Sequence, residues 1–428
     1  RRRIRMTEPE GAVVHYEYDG AGRPTTIRRE IPGQGTTTLS TTAYDDSGVP
    51  VATNYGNATT KTFTYDVKAR TTQIVLAADA PPTDIARYVY TYDARNNRTR
   101  VEMPHVGAVF NYTYNAQSWL TAEYCSGTIA PDPPPYENQF TPLPGGNESD
   151  PSNLATAVPA SIASSVPTYA AGYLYDDGGN RTAKNDTRLG SFTFVYDEEN
   201  RPVSMTGPGG TTSFGHDAAG NMTSRTKGTV TETYGYDSAY RMSSYVRTEN
   251  GSPAKSCLYT YAPTGDRFSV NDVLGDTTEA YMYDGRDVVA DYDVQGEGPY
   301  TYARSYGQGL GIDSKFVQIA ASGDKSFFGV DAVGSVHQIL DGASVSSMQA
   351  TTAWGEDLVS PSGDTRYHFT QRERAPESGL IYFRARWYDP ALGRFIQNDP
   401  AWVQRPFEHY LYARNNPARL LDPKGEGP

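Results

Sequence analysis

A Tyr-Asp pair recurs along the chain, at Tyr18-Asp19, Tyr44-Asp45, Tyr65-Asp66, Tyr92-Asp93, Tyr175-Asp176, Tyr196-Asp197, Tyr236-Asp237 and Tyr283-Asp284. His216-Asp217 and Tyr114-Asn115 are degenerate copies, and Tyr261 keeps the ring without the acid. Neighbouring copies mostly lie 20 to 27 residues apart, the period of a repeat architecture. Before each pair the chain alternates β-formers with polar residues, as in TKTFTYD (60–66), ARYVYTYD (86–93) and GSFTFVYD (190–197), which reads as half-buried strand. The Asp carboxylate can accept a backbone N–H two residues on and so opens a turn. Gly22, Asn97, Gly179 and Gly220 then supply a residue tolerant of positive φ, and a fresh Thr/Ser/Val run follows. Each copy is predicted to be a hairpin corner, and the copies together one long strand-turn ribbon.

Composition supports an all-β chain. Gly (41) and Pro (29) are abundant and no long amphipathic stretch occurs, so helix should be scarce. Only 37% of residues are hydrophobic, yet Tyr supplies 33 positions, and every buried Tyr brings a hydroxyl that needs a partner. This predicts thin sheets with stacked Tyr rows around a wet interior. The formal net charge of −12 argues against nucleic-acid binding, and no apolar run is long enough for a membrane span. The start RRRIR falls mid-pattern without signal-peptide features, as in a piece of something larger. Cys125 and Cys257 are the only cysteines; one bridge and two separate thiols remain open. No His-x-x-x-His or Cys-x-x-Cys spacing occurs, so neither a metal nor a cofactor is expected.

Four regions follow. Residues 1–124 and 172–326 carry the repeats, and 125–171 form a Pro-rich insertion predicted to lie outside the sheet, because Pro denies the ladder its N–H donors. Residues 327–428 change character. FFGVDAVGSVHQILD (327–341) is followed by YHFTQRERAPESGLIYFRARWYDPALGRFIQNDP (367–400) and FEHYLYARNNPARLLDPKGEGP (407–428), dense in Arg and aromatics.

The Tyr-Asp repeats followed by SGLIYFRARWYDPALGRFIQNDP resemble the Rhs/YD-repeat family with its C-terminal Rhs-associated core domain, over nearly the whole chain except the insertion. Its members include polymorphic toxins, the C component of insecticidal toxin complexes and teneurins. The resemblance implies a spiral antiparallel sheet forming a hollow shell (a cocoon), closed at one end by the core domain. In toxin members the shell encloses a C-terminal effector that the core domain releases by aspartyl-type self-cleavage. Carried onto this chain, the catalytic carboxyl is Asp399, the second acid Asp422 and the electrostatic partner Arg386, with the cut near Gly425 and Glu426. The chain departs from the family pattern at Trp402, where Gly is expected, and at Glu426, where cleaving relatives carry Leu.

The residues themselves fit that chemistry. Cleaving a peptide without metal, Cys or Ser calls for carboxylates, one to activate water and one to supply a proton. Asp389, Asp399 and Asp422 each precede Pro, and Arg394 joins Arg386 nearby; Asp389 and Arg394 serve equally well as support or as packing residues. The implied partners are the chain's own effector segment as cargo and a secretion or delivery apparatus, in a secreted or surface setting. The alternative is a non-catalytic adhesion shell, teneurin-like or wall-associated. A carbohydrate-active array ranks last, because no paired carboxylates frame an aromatic platform.

Overall fold

The computed structural model describes residues 3–8, 10–126, 166–309, 311–359, 365–400 and 409–427. Among these, 28 strands from Arg5–Thr7 to Ser344–Met348 form one antiparallel sheet in which each strand pairs with its neighbours in sequence. The expected all-β spiral meander is what forms.

The Tyr-Asp pair builds a five-residue corner. Asp19 N–H donates to Arg23 O (2.9 Å), Gly22 N–H returns to Asp19 O (2.9 Å), and the Asp19 carboxylate accepts Arg23 N–H (2.9 Å). The backbone pattern repeats at Asp45, Asp66, Asp93, Asn115, Asp176, Asp197, Asp217 and Asp237. The fourth corner residue is left-handed whether or not it is glycine, with φ of 85° at Gly22, 57° at Ala69 and 61° at Tyr240. In the Asp93 corner that residue is Asn96 (φ 68°), whereas the expected Asn97 sits one place later and donates to both Asp93 oxygens. A register shift falls immediately before the Tyr of each pair, as between Glu17 and Tyr18 or Thr91 and Tyr92.

That bulge turns the Tyr along the sheet, where its hydroxyl finds a partner in the preceding repeat. Tyr44 donates to Pro24 O (2.8 Å), Tyr65 to Pro50 O (2.8 Å), Tyr92 to Thr71 O (2.7 Å) and Tyr175 to Leu120 O (2.7 Å), in each case the carbonyl just past the previous corner. In the corners that end in Arg23, Arg70 and Arg241 the guanidinium grips the corner Asp and stacks on the next repeat's Tyr, as Arg70 does with Asp66 (2.6 Å) and Tyr92 (4.6 Å to the ring centre). Two residues before the pair, an inward aromatic lines the core: Tyr16, Tyr90, Tyr173, Phe194, Tyr234 and Tyr259 are all buried.

The sheet curls until early and late strands meet side chain to side chain. Tyr55 stacks on Phe316 (5.5 Å between centres), Asn57 donates to Gly342 O (2.6 Å) and Lys61 to Val330 O (3.1 Å). A pocket of about 460 Å³ between the sheet and the tail is lined by Lys255, Arg267, Asp272, Glu279, Arg374 and Glu377, among others. Cys125 and Cys257 are separate buried thiols, both pushed up to about 12 by burial. The sheet also corrects the edges of the predicted insertion. Strands Leu120–Ser126 and Tyr169–Tyr175 pair through Cys125 and Tyr169, so both ends of 125–171 belong to the ladder, and the centre lies outside the described residues.

The C-terminal segment docks along the line of corners. Asn416 donates to Asn97 (2.9 Å), Asn415 to Gly179 O (2.8 Å), Tyr410 to Gly220 O (2.8 Å) and Gln397 to Tyr240 O (2.8 Å). At Gly220 (φ 88°) a Cβ would lie 2.4 Å from the Tyr410 hydroxyl, so glycine serves both the turn and the approach of the tail. This segment closes the corner end of the shell.

Two outcomes test the corner. Tyr92→Phe strands the Thr71 carbonyl and should cost about 1 kcal/mol in denaturant unfolding. Asp66 is held below its ordinary 3.8, chiefly by its hydrogen bond from Arg70, and Asp19 and Asp45 are lowered by comparable bonds. A lowered carboxyl contributes stability that is complete above its unfolded value and lost as pH falls through the folded one. The denaturation midpoint should therefore drop as pH falls below 3.8, and Asp66→Asn should flatten that dependence.

Candidate functional site

The tail's own small sheet runs through strands Glu373–Arg374, Ile381–Phe383, Arg386–Asp389 and Arg394–Phe395, each antiparallel to the next. Its aromatic side chains form a core with Phe369, Tyr388 and Tyr412, and the Arg386 guanidinium lies 3.7 Å from the centre of the Phe395 ring. Arg386 is only 1% exposed; taking a charge that far from water is costly unless it is paired and hydrogen-bonded.

Its partners are the predicted site. One terminal nitrogen of Arg386 lies 3.1 Å from Asp399 Oδ2 and 3.2 Å from Asp422 Oδ2. The Nε donates to the carbonyl of Gly425 at 2.6 Å, and the other terminal nitrogen to His409 O at 3.1 Å. Asp399 is fixed from behind by its own N–H on His409 O (3.0 Å). Asp422 sits at the start of the turn that carries Gly425: its Oδ1 accepts Glu426 N–H (3.1 Å) and its Oδ2 accepts Gly427 N–H (2.9 Å). Both carboxylates are buried, and a pocket of about 140 Å³ reaches Asp422 and Pro423 from the side of Ile312, Val333 and Thr370. Two carboxylates, one guanidinium and one peptide carbonyl thus converge, and this set can polarise a carbonyl while placing an acid beside the nitrogen that follows it.

The other candidates go elsewhere. Asp389 accepts Ala391 N–H (2.9 Å) and forms an ion pair with Arg225 of the shell. Arg394 donates to Asn180 (3.0 Å) and Asn200 O (3.3 Å) and stacks on Tyr196 at 4.6 Å. Both join the tail to the corners and stand apart from the Arg386 cluster. The Glu426 carboxylate lies 3.8 Å from Arg286, and Trp402 lies outside the described residues.

Sequence reasoning missed Arg384. Its guanidinium donates to both oxygens of Asp313 (2.9 and 2.8 Å), to Asp287 (3.0 Å), to Arg286 O (3.0 Å) and to Pro423 O. Nothing local marks it, because its acids come from the shell.

The RHS Repeat family model matches residues 2–37, 175–212 and 196–229. The chain carries RHS repeats at these positions. Among solved structures, the fold seen here is shared with TcdB2-TccC3-TEV, at a TM-score of 0.75 and 16% identity over 99% of this chain and 21% of that one. The Tc holotoxin pore of Photorhabdus luminescens matches at 0.73 and 16%, over 99% and 20%. In sequence, the tRNA nuclease WapA of Bacillus subtilis is 28% identical over 188 residues, which are 42% of this chain and 8% of that protein. Toxin subunit YenC2 of Yersinia entomophaga is 40% identical over 63 residues, 15% of this chain and 6% of that subunit. The chain therefore spans under a tenth of the length of these two relatives.

Removing the shared cation tests the site's energetics. Arg386→Met leaves Asp399 and Asp422 buried without their guanidinium and should lower stability by about 3–5 kcal/mol in equilibrium denaturation, against a much smaller effect for exposed Arg286→Met.

Proposed function

We propose that this chain is the shell and closing segment of an RHS toxin, which encloses a C-terminal effector and frees it by cutting its own backbone after Gly425. The observation that carries the reading is the Arg386 guanidinium, which bridges Asp399, Asp422 and the Gly425 carbonyl in one buried cluster. Fold likeness to TcdB2-TccC3-TEV and partial sequence likeness to a toxin subunit and a tRNA nuclease support a toxin shell. On this reading the chain is exported and works with a delivery apparatus, its cargo being its own downstream segment.

The chemistry follows from the geometry. Asp399 takes a proton from water as the water oxygen bonds to the Gly425 carbonyl carbon. Negative charge develops on the carbonyl oxygen, which already accepts Arg386 Nε–H. As the C–N bond breaks, the proton that Asp399 took from water passes to the Glu426 nitrogen, which Asp422 Oδ1 holds through its N–H. The products are a Gly425 carboxylate, paired with Arg386, and an ammonium on Glu426, which takes up the carboxyl's proton. The new carboxylate stays in the site, so the reaction runs once per chain.

A chain fused past Pro428 to a small folded reporter should yield two fragments in mass spectrometry, with the new carboxyl at Gly425, and its Asp399→Asn twin should stay whole. Asn keeps the shape and removes the base. A folded parent that stays whole would make this a shell without a protease, in line with an adhesion role.

A further inference from the structure

The segment leading to Gly425 lies along a hairpin turn. Arg384-Ala385 joins strands Ile381–Phe383 and Arg386–Asp389, with Phe383 paired to Arg386. Three consecutive residues of this turn hold three consecutive carbonyls. Arg384 donates to Pro423 O, Ala385 N–H to Lys424 O (3.2 Å), and Arg386 Nε to Gly425 O (2.6 Å). Gly425 (φ 67°) lies flat on the turn, where a Cβ would come within 2.3 Å of Phe383 O.

Ala385 needs only its backbone for this, and Arg386 is anchored by the carboxylates. Arg384 is different. Its backbone is left-handed (φ 58°), a conformation that costs a non-glycine residue on the order of 1 kcal/mol or more unless its surroundings impose it. The surroundings are two shell acids. Asp313 takes the guanidinium in a two-oxygen fork, and Asp287 takes it from the other side. Both acids are in turn fixed by other tail and shell groups: Arg372 donates to Asp313 (2.6 Å), Asp313 N–H to Asp287 (3.1 Å), and Lys315 lies 3.5 Å from Asp287. The guanidinium is buried, so its direction is set by these partners and not by solvent.

We propose that Arg384 is a positioning residue for the cut after Gly425, aimed by Asp287 and Asp313. The inference rests on the self-cleavage proposed above and adds its regulation: the peptide is presented to Asp399 and Asp422 only when the shell strands Asp287–Gln295 and Lys315–Ala320, which bring Asp287 and Asp313 into place, have formed. Cutting is thereby tied to folding of that part of the sheet.

The test uses the reporter-fused protein. Arg384→Met should cut about a hundredfold more slowly than the parent, as expected when a reacting group is misplaced by about 1 Å, and paired Asp287→Asn and Asp313→Asn should slow it too. Ethylguanidinium added to folded Arg384→Ala should restore part of the rate, which lost packing alone would not allow. A second arm is built on uncut Asp399→Asn, where Arg384→Met should speed deuterium exchange at the Gly425–Gly427 amides while repeat amides stay protected. Arg384→Met cutting at the parent rate, or exchange unchanged in the second arm, overturns the positioning role alone. An uncut parent overturns the self-cleavage reading and, with it, any role in cutting.

Discussion

The structure depends on one hydrogen bond made many times over, from the corner tyrosine to the carbonyl just past the previous corner. A β-meander's ladder bonds run only between adjacent strands, and a strand pair can slip in register wherever its faces are weakly distinguished. The tyrosine reaches past its own hairpin and fixes the next corner against the last. The bulge before the Tyr turns it there, the Asp holds the turn, and the phenol keeps its hydroxyl satisfied while its ring packs. A chain poor in aliphatic residues can thus build a large ordered sheet, because each ring both packs and bonds.

The tail uses the same corners as its docking surface, both those that end in Asn and the Arg-ended corners at Asp197 and Asp237. Corners that end in Asn (Asn97, Asn180 and Asn221) bury that residue; Asn97 and Asn180 accept directly from Asn416 and Arg394, and Tyr410 caps the glycine beside Asn221. Corners that end in Arg at Arg23 and Arg70 keep that side chain partly in water, stacked on the next tyrosine. At the Asn-ended Asp93 and Asp176 corners the tail meets the last side chain itself, and at the Arg-ended Asp197 and Asp237 corners it meets the carbonyl of the fourth residue.

This contrast also marks how far the sequence could be read. The strands, corners and shell class were legible, since period-two alternation and an Asp-opened turn are local physics. The left-handed residue was misplaced at Asn97 because the turn tolerates Asn96, Ala69 or Tyr240 as readily as glycine, so composition does not point to it. The ends of the insertion were misread because Cys125 and Tyr169 find ladder partners in each other across a long excursion. In the tail, Arg386, Asp399 and Asp422 came from a family resemblance and not from their spacing. Nothing in RARWYDPALGR separates Arg386, which bridges two acids, from Arg394, which stacks on a corner. That difference is made by residues two hundred positions away. Arg384 escaped notice for the same reason, its acids lying 97 and 71 residues upstream.

Because every ladder bond joins chain neighbours, a further hairpin can be inserted between two corners without re-pairing any other strand. Such growth is not equally free everywhere. The stretch from the Asp93 corner to the Asp237 corner is measured against a tail of fixed length, and an added repeat there would pull Asn416, Asn415, Tyr410 and Gln397 out of step with their acceptors. The tail is therefore a ruler, and it confines changes in the length of the sheet to repeats outside its span.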